Sequence, residues 1–111
     1  MERDSKIKAK AGYGDLLVVA TCMRQRMIGF LAARPKRCIL LISPCRSIHT
    51  FGMKEKLDIA FFDRDGAVLY AEREVAPARI IRCKGAVGVL ERRFKADQAW
   101  YREGDKVMLY V

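Results

Sequence analysis

Short apolar runs separated by turn-forming residues are the feature that most constrains how this chain can fold. Leu16–Ala20 and Cys38–Ile42 are rich in branched apolar residues and are bounded by polar or turn-forming residues. This pattern is typical of strands buried on both faces. Further extended segments are predicted at 47–53, 57–62, 67–72, 86–91 and 106–111. About six or seven short strands at this spacing predict a mainly β (α+β) fold, a compact β-barrel-like domain.

One segment has a helical pattern instead. Met23 and Met27 recur at helical spacing, with Arg and Gln residues between them. Thr21 can cap the start, and Pro35 ends the segment because the residue before a proline avoids the helical region. The pattern predicts one short helix over 21–33, directly after the first predicted strand.

The residues Asp-Arg-Asp-Gly at 63–66 lie between two predicted strands. Glycine supplies the positive φ that a tight turn needs, and aspartate bonds its own backbone, so the segment predicts a hairpin. An apolar strand followed by Asp-x-Asp-Gly also resembles the nucleophile loop of haloacid-dehalogenase-type phosphatases. That fold needs a long doubly wound sheet after this strand. Only 45 of the 111 residues follow Gly66, and they read as strands.

The charge balance is basic. The chain has 111 residues, with 22 Lys and Arg against 13 Asp and Glu, for a net charge of +9. The length predicts one domain, which we place at 13–111 after a flexible basic N-terminus at 1–12. The charge favours acidic partners or nucleic acid. Aromatic residues make up only 9%, so nucleic-acid binding is the less favoured of the hypotheses.

The four cysteines indicate a reduced, cytoplasmic protein. None lies in a CxxC pair, and no early apolar run is long enough for a signal peptide or a membrane span. We therefore predict no metal, no cofactor and no membrane association. The cysteines are Cys22, Cys38, Cys45 and Cys83.

Cys45 and His49 are a candidate nucleophile and base. In a fully extended strand their groups would lie about 13 Å apart, too far to hydrogen-bond. A turn between them would be needed for catalysis. The segment 47–53 places His49 on a largely apolar face, which predicts a hydrogen-bonded core histidine, with a pocket-lining histidine as the alternative. Asp58, among apolar neighbours, is expected to be either solvated or paired with Arg or His.

Several stretches resemble the DUF192 family, whose function is uncharacterised. They are Pro-Cys-Arg-Ser-Ile-His-Thr-Phe-Gly-Met at 44–53 and Asp-Ile-Ala-Phe-Phe-Asp at 58–63 with Gly66. Weaker similarities lie at 26–31, 89–91 and 104–107, so the resemblance covers about 15–111. The chain departs from the family pattern in Lys56-Leu57-Asp58 and in Gly52.

The resemblance implies a compact β-barrel-like fold with a small helix, and no established activity. It indicates where a ligand would bind. The candidate ligand-binding residues are Arg26, Cys45, Ser47, His49, Thr50, Met53 and Asp58.

Three functional hypotheses follow. The first is a small non-enzymatic binding or interaction domain with a pocket around Cys45, His49 and Met53, for a small ligand or a protein partner. The second is binding of nucleic acid or an acidic partner through the basic surface. The third is an enzyme that uses Cys45 with His49.

Overall fold

The computed structural model describes the backbone of residues 5–9, 16–20, 38–107 and 109–110, and the side chains of 39–107. The described residues form nine strands and no helix. The predicted helix at 21–33 lies outside the described residues. The strands are β1 Ser5–Ala9, β2 Leu16–Ala20, β3 Cys38–Ile42, β4 Ser47–His49, β5 Leu57–Phe62, β6 Val68–Val75, β7 Ile80–Arg82, β8 Gly88–Arg93 and β9 Leu109–Tyr110.

Seven of these strands form one sheet in the order β6-β5-β8-β3-β2-β1-β9, and β4 pairs with β7 in a second sheet. β2 and β3 are parallel, whereas the other pairs in the large sheet are antiparallel.

The expected barrel is not formed, because β6 and β9 remain as the two ends of the large sheet in the described part of the chain. A single bridge joins Ala67 to Lys106 beside β6. The fold is therefore mainly β, with an open sheet. A closed barrel would need β6 and β9 to pair along their length, and the described residues near them form only the single Ala67–Lys106 bridge.

The structure differs from the sequence expectation at three strands. Residues 5–9 form β1 and pair with β2 and β9, although a loose terminus was expected there. Apolar and basic residues alternate in Ser-Lys-Ile-Lys-Ala, which suits a strand. β7 has only three residues, too few for its period to show in the sequence. The predicted strand at 47–53 ends early at His49, because Phe51 and Gly52 form a turn in which Gly52 has φ +86°.

The hairpin at 63–66 is confirmed. Asp63 Oδ1 accepts hydrogen bonds from the backbone N–H groups of Asp65 and Ala67, both at 2.9 Å. The Gly66 N–H donates to the Asp63 carbonyl, and Gly66 has φ +84°. The Asp63 carboxylate is thus occupied in closing a turn between β5 and β6.

Each face of the large sheet has its own apolar core. On the first face, Leu40, Ile59 and Phe61 pack against Ile48 of β4 and Ile81 of β7. The second face carries a core of Ile39, Leu41, Ala60, Phe62 and Leu90, closed by Trp100 and Tyr101. Burial on both faces explains why β5 is a continuous apolar run broken only by Asp58.

Candidate functional site

Asp58 is a structural ion-pair residue in the middle of β5. Its carboxylate is fully buried, and it accepts hydrogen bonds from Arg92 Nε at 2.9 Å and from Arg73 Nε at 3.3 Å. The backbone N–H of Glu74 donates to it at 3.4 Å. Of the two outcomes expected for Asp58, the structure shows the paired one. Its oxygens are satisfied by the protein itself and do not face a ligand.

Arg92 extends this cluster under the second face. Its side chain is fully buried, and Nη2 donates to the Ala99 carbonyl at 2.8 Å. The guanidinium lies over the Trp100 ring, 4.6 Å from the ring centroid. The Trp100 indole N–H donates to the Ile59 carbonyl at 2.8 Å. The ion pair therefore fastens the segment around residue 100 to β5 and β8.

Thr50 also has a structural role. It is fully buried, and Oγ1 donates to the Ala76 carbonyl while accepting from the Arg79 N–H, both at 2.8 Å. Its backbone N–H donates to the Arg79 carbonyl, and its own carbonyl accepts from Met53 and Ala78. Thr50 thereby fixes the loop that leads into β7. It positions the small sheet and offers no free polar atom to a ligand.

The Cys45–His49 pair does not have the geometry of an activated nucleophile. Cys45 is half-buried, and its Sγ donates to the Ser47 carbonyl at 3.3 Å. Burial raises the pKa of the Cys45 thiol, and the negative charge of Glu91 raises it further. A nucleophilic cysteine needs the opposite shift. The enzyme hypothesis therefore loses its main chemical support.

His49 differs from the expected hydrogen-bonded core histidine. It is half-buried, and its Nδ1 is buried with no hydrogen-bond partner among the described residues. Its ring lies 5.5 Å from the Phe51 ring, centroid to centroid. In the register of the small sheet, His49 is opposite Ile80. Histidine and isoleucine therefore share one face, because directly paired residues point to the same side of a sheet.

That face is turned away from the core. Ile48 and Ile81 point inward into the first core, so their neighbours in β4 and β7 point outward. Ile80 is 57% exposed and Phe51, just beyond β4, is 47% exposed. We call Ser47, His49, Phe51, Ile80 and Arg82 the outer face of the small sheet. It combines two exposed apolar side chains with a histidine and a cation.

Further cations lie beside the outer face. Arg46 precedes Ser47, and Lys84 follows Arg82 by two residues; all three basic side chains are exposed. Within the described part of the chain, none of them forms an ion pair. Arg79, just before β7, is instead paired with Glu72 at 2.8 Å. The outer face therefore carries positive charge that the described residues do not neutralise.

The candidate ligand-binding residues lie in different parts of the structure. Met53 is half-buried against the first core, after the turn at Gly52. Ser47 and His49 share the outer face, while Thr50 and Asp58 are buried in separate hydrogen-bond networks. Arg26 lies outside the described residues. The structure thus does not gather the candidate residues into one pocket.

Sequence reasoning missed Glu91, Arg73 and Ile80. Glu91 is fully buried, and both its carboxyl oxygens have no hydrogen-bond partner among the described residues. It is opposite Leu40 and Ile59 in the sheet register, so it points into the first core. Burial raises its pKa to about 8. The signal available was a Glu inside an apolar strand, which usually indicates an exposed position.

Two kinds of feature are absent from the described residues. These residues contain no group of three or more His, Cys, Asp or Glu side chains arranged to hold a metal ion. They also contain no helix long and apolar enough to cross a membrane.

The fold and the outer face define a mainly β protein with an open seven-stranded sheet and a small sheet packed on it. The sequence matches the DUF192 family, described as "Uncharacterized ACR", over residues 9–109, and the chain belongs to that family. The family resemblance noted in the sequence is thereby confirmed. The family has no established function. No curated protein matches the chain.

Two solved structures are similar. One is a protein of unknown function from Novosphingobium aromaticivorans, with a TM-score of 0.67 and 16% sequence identity, covering 95% of this chain and 84% of that one. The other is a protein proposed to be a transcription regulator from Sinorhizobium meliloti, with a TM-score of 0.63 and 17% identity, covering 98% of this chain and 94% of that one. At this identity the likeness shows the fold alone.

Proposed function

We propose that the protein is a small non-enzymatic binding module, and that the outer face of the small sheet contacts its partner. The observation that carries this proposal is the contiguous exposure of Ile80 and Phe51 on either side of His49. Single exposed apolar residues are ordinary on protein surfaces, but adjoining ones rimmed by polar groups are typical of interaction sites.

Charge favours one kind of partner. Arg46, Arg82 and Lys84 flank the two apolar side chains, so the complementary surface is an acidic segment with an apolar anchor. Residues 1–37 supply nine Lys and Arg against three Asp and Glu, a net +6 of the chain's +9. The whole chain therefore attracts an acidic partner over a longer range. A cytoplasmic location belongs to this proposal, on the argument from the unpaired cysteine pattern.

The outer face of the small sheet is also held rigidly by the residues beneath it. Thr50 fixes the loop before β7, and Ile48 and Ile81 anchor both strands of the small sheet in the first core. Residues held in this way lose little conformational entropy when a partner binds. The exposed side chains can thus be changed without disturbing the core.

The test is fluorescence anisotropy with a labelled peptide in which Leu and Trp are flanked by Glu and Asp. The control peptide carries Lys in place of every acid. Ile80→Ser and Phe51→Ser should each weaken binding about tenfold, and Arg82→Glu at least as much. Arg64→Glu, an exposed change in the hairpin at 63–66, is the matched control and should have a smaller effect.

Binding of a single-stranded oligonucleotide tests the alternative hypothesis, that the protein binds nucleic acid. If the oligonucleotide binds more tightly than the acidic peptide, with a steep salt dependence and no effect of Ile80→Ser, the nucleic-acid hypothesis replaces this proposal. If Ile80→Ser and Phe51→Ser leave peptide binding unchanged, the outer face is not the binding site.

A further inference from the structure

A cleft lies on the second face of the large sheet, away from the small sheet. Its volume is about 660 Å³, within the range of roughly 300–1,000 Å³ usual for small-molecule sites. Ala71 of β6 lines one side, and the segment from Ala99 to Asp105 lines the other. The short alanine side chains leave this space open, whereas Trp100 and Tyr101 are only 4% and 3% exposed and form its apolar floor.

Arg73 presents a fixed cation to the cleft. Its Nε and Nη2 donate to the two oxygens of Asp58, both at 3.3 Å, and Nη2 also donates to the Lys95 carbonyl. The guanidinium lies over the Phe94 ring, 5.2 Å from its centroid. These contacts occupy one edge and one face of the group, while no contact of Nη1 is formed among the described residues. An orientation fixed by Asp58 lowers the entropy lost on binding an anion.

Acidic groups line the same cleft. Asp105 Oδ2 accepts from the Arg102 N–H at 2.8 Å, and the Gly104 N–H donates to the Val68 carbonyl at 2.9 Å. The turn at 102–105 is therefore held against β6. The cleft thus carries two cations, Arg73 and Arg102, and two carboxylates, Glu103 and Asp105.

We propose that this cleft binds a small zwitterion of dipeptide or tripeptide size. Arg73 and Arg102 would receive its carboxylate, and Glu103 and Asp105 its ammonium group. Charge-assisted hydrogen bonds to a carboxylate and to an ammonium group together select a molecule that carries both of these groups. This site goes beyond the outer face of the small sheet and lies on the opposite side of the large sheet.

The test uses the tripeptide Ala-Ala-Ala with free termini. Trp100 is the only tryptophan in the chain and lines the cleft, so its intrinsic fluorescence reports binding. The N-acetylated and C-amidated forms each lack one charge and should bind about tenfold more weakly, a difference of ~1.4 kcal/mol. Binding of all three forms with equal affinity, or of none at about 10 mM, would overturn the proposal.

Two variants locate the site. Arg102→Gln and Glu103→Gln alter exposed side chains, so folding should be preserved, and each should weaken tripeptide binding about fivefold or more. Arg64→Gln is the control and should have no effect. Ile80→Ser should also leave tripeptide binding unchanged. Loss of tripeptide binding in Ile80→Ser, with none in Arg102→Gln, would assign the ligand to the outer face instead.

Discussion

The Asp58 carboxylate accepts a hydrogen bond from the Arg92 guanidinium at 2.9 Å, and both side chains are fully buried. Removing one partner of a buried ion pair leaves the other charge in a low-dielectric interior. Asp58→Asn should therefore lower the free energy of unfolding by about 3–5 kcal/mol, as measured by urea denaturation. The exposed Asp97→Asn should change it by less than about 0.5 kcal/mol. Equal unfolding midpoints for the two variants would contradict a stabilising role for the pair.

Glu91 makes stability depend on pH. Its carboxyl has an ordinary pKa of 4.5, and burial raises this pKa to about 8 in the folded chain. Below pH 4.5 both states are protonated, so the full stability is present. Between about 4.5 and about 8 only the unfolded state releases the proton, so stability falls as the pH rises.

Glu91→Gln removes this titration and keeps the side-chain shape. Between pH 5 and pH 8, the free energy of unfolding of the wild type should fall relative to Glu91→Gln by up to about 4 kcal/mol. Denaturant titrations at the two pH values measure this difference. Glu103→Gln, an exposed change, controls for the loss of a carboxylate. A constant difference between wild type and Glu91→Gln would show that Glu91 is not protonated when folded.

Thr50→Val removes the hydroxyl that donates to Ala76 and accepts from Arg79. Two part-buried hydrogen bonds to the backbone are then lost, which should destabilise the fold by about 1–2 kcal/mol. Thr50→Ser retains the hydroxyl and should lose much less. The same pair of variants separates structure from binding. At a temperature where both are folded, Thr50→Val should weaken acidic-peptide binding because β7 is held less firmly, and Thr50→Ser should not.

The Cys45 thiol should react slowly with iodoacetamide at neutral pH. Burial raises its pKa above the ordinary value of 9.0, so less than about 1% is thiolate at pH 7. Peptide mass mapping after timed alkylation measures the rate, and the rate should keep rising above pH 9. Glu91→Gln should accelerate the reaction at pH 8, because it removes a nearby negative charge. Fast alkylation of Cys45 at pH 7 would restore the enzyme hypothesis.

Gly66 and Gly104 form a matched pair for testing the hairpin. Both have positive φ, +84° and +92°. A Cβ on Gly66 would lie 2.9 Å from the Val107 carbonyl oxygen, whereas one on Gly104 would have no neighbour within 4 Å. Gly104→Ala should lose about 1 kcal/mol from backbone strain alone, and Gly66→Ala should lose clearly more. Thermal unfolding checks both. Equal losses would mean that Val107 moves aside freely.

The local sequence pattern is sufficient to predict several of the strands and turns. β5 was predicted to the residue, because the run 57–62 is apolar and the turn at 63–66 has its own chemistry. The environment of Asp58 was not predictable in detail, since Arg73 and Arg92 are 15 and 34 residues away in sequence. The sequence did not predict β7, because three residues are too few to show the two-residue period of a strand. The position of Ile80 on the outer face follows only from its pairing with His49.

The candidate site was harder to predict for the same reason. A motif that contains Cys45, His49, Thr50 and Asp58 suggests one pocket when it is read along the chain. In the structure, strand alternation sends Ile48 inward and His49 outward, and the turn at Gly52 redirects Met53 to the core. The two-residue period therefore divides the motif between packing, hydrogen bonding and surface exposure.

The attachment of the small sheet has a consequence for how such proteins can diversify. Ile48 and Ile81 attach the small sheet to the first core, and the Thr50 hydroxyl fixes the loop before β7 by two hydrogen bonds. None of these three side chains belongs to the outer face. Substitutions at Ser47, His49, Ile80 and Arg82 can accumulate without a compensating change in the core. The same framework can thus acquire new recognition specificities by point mutation, one surface side chain at a time.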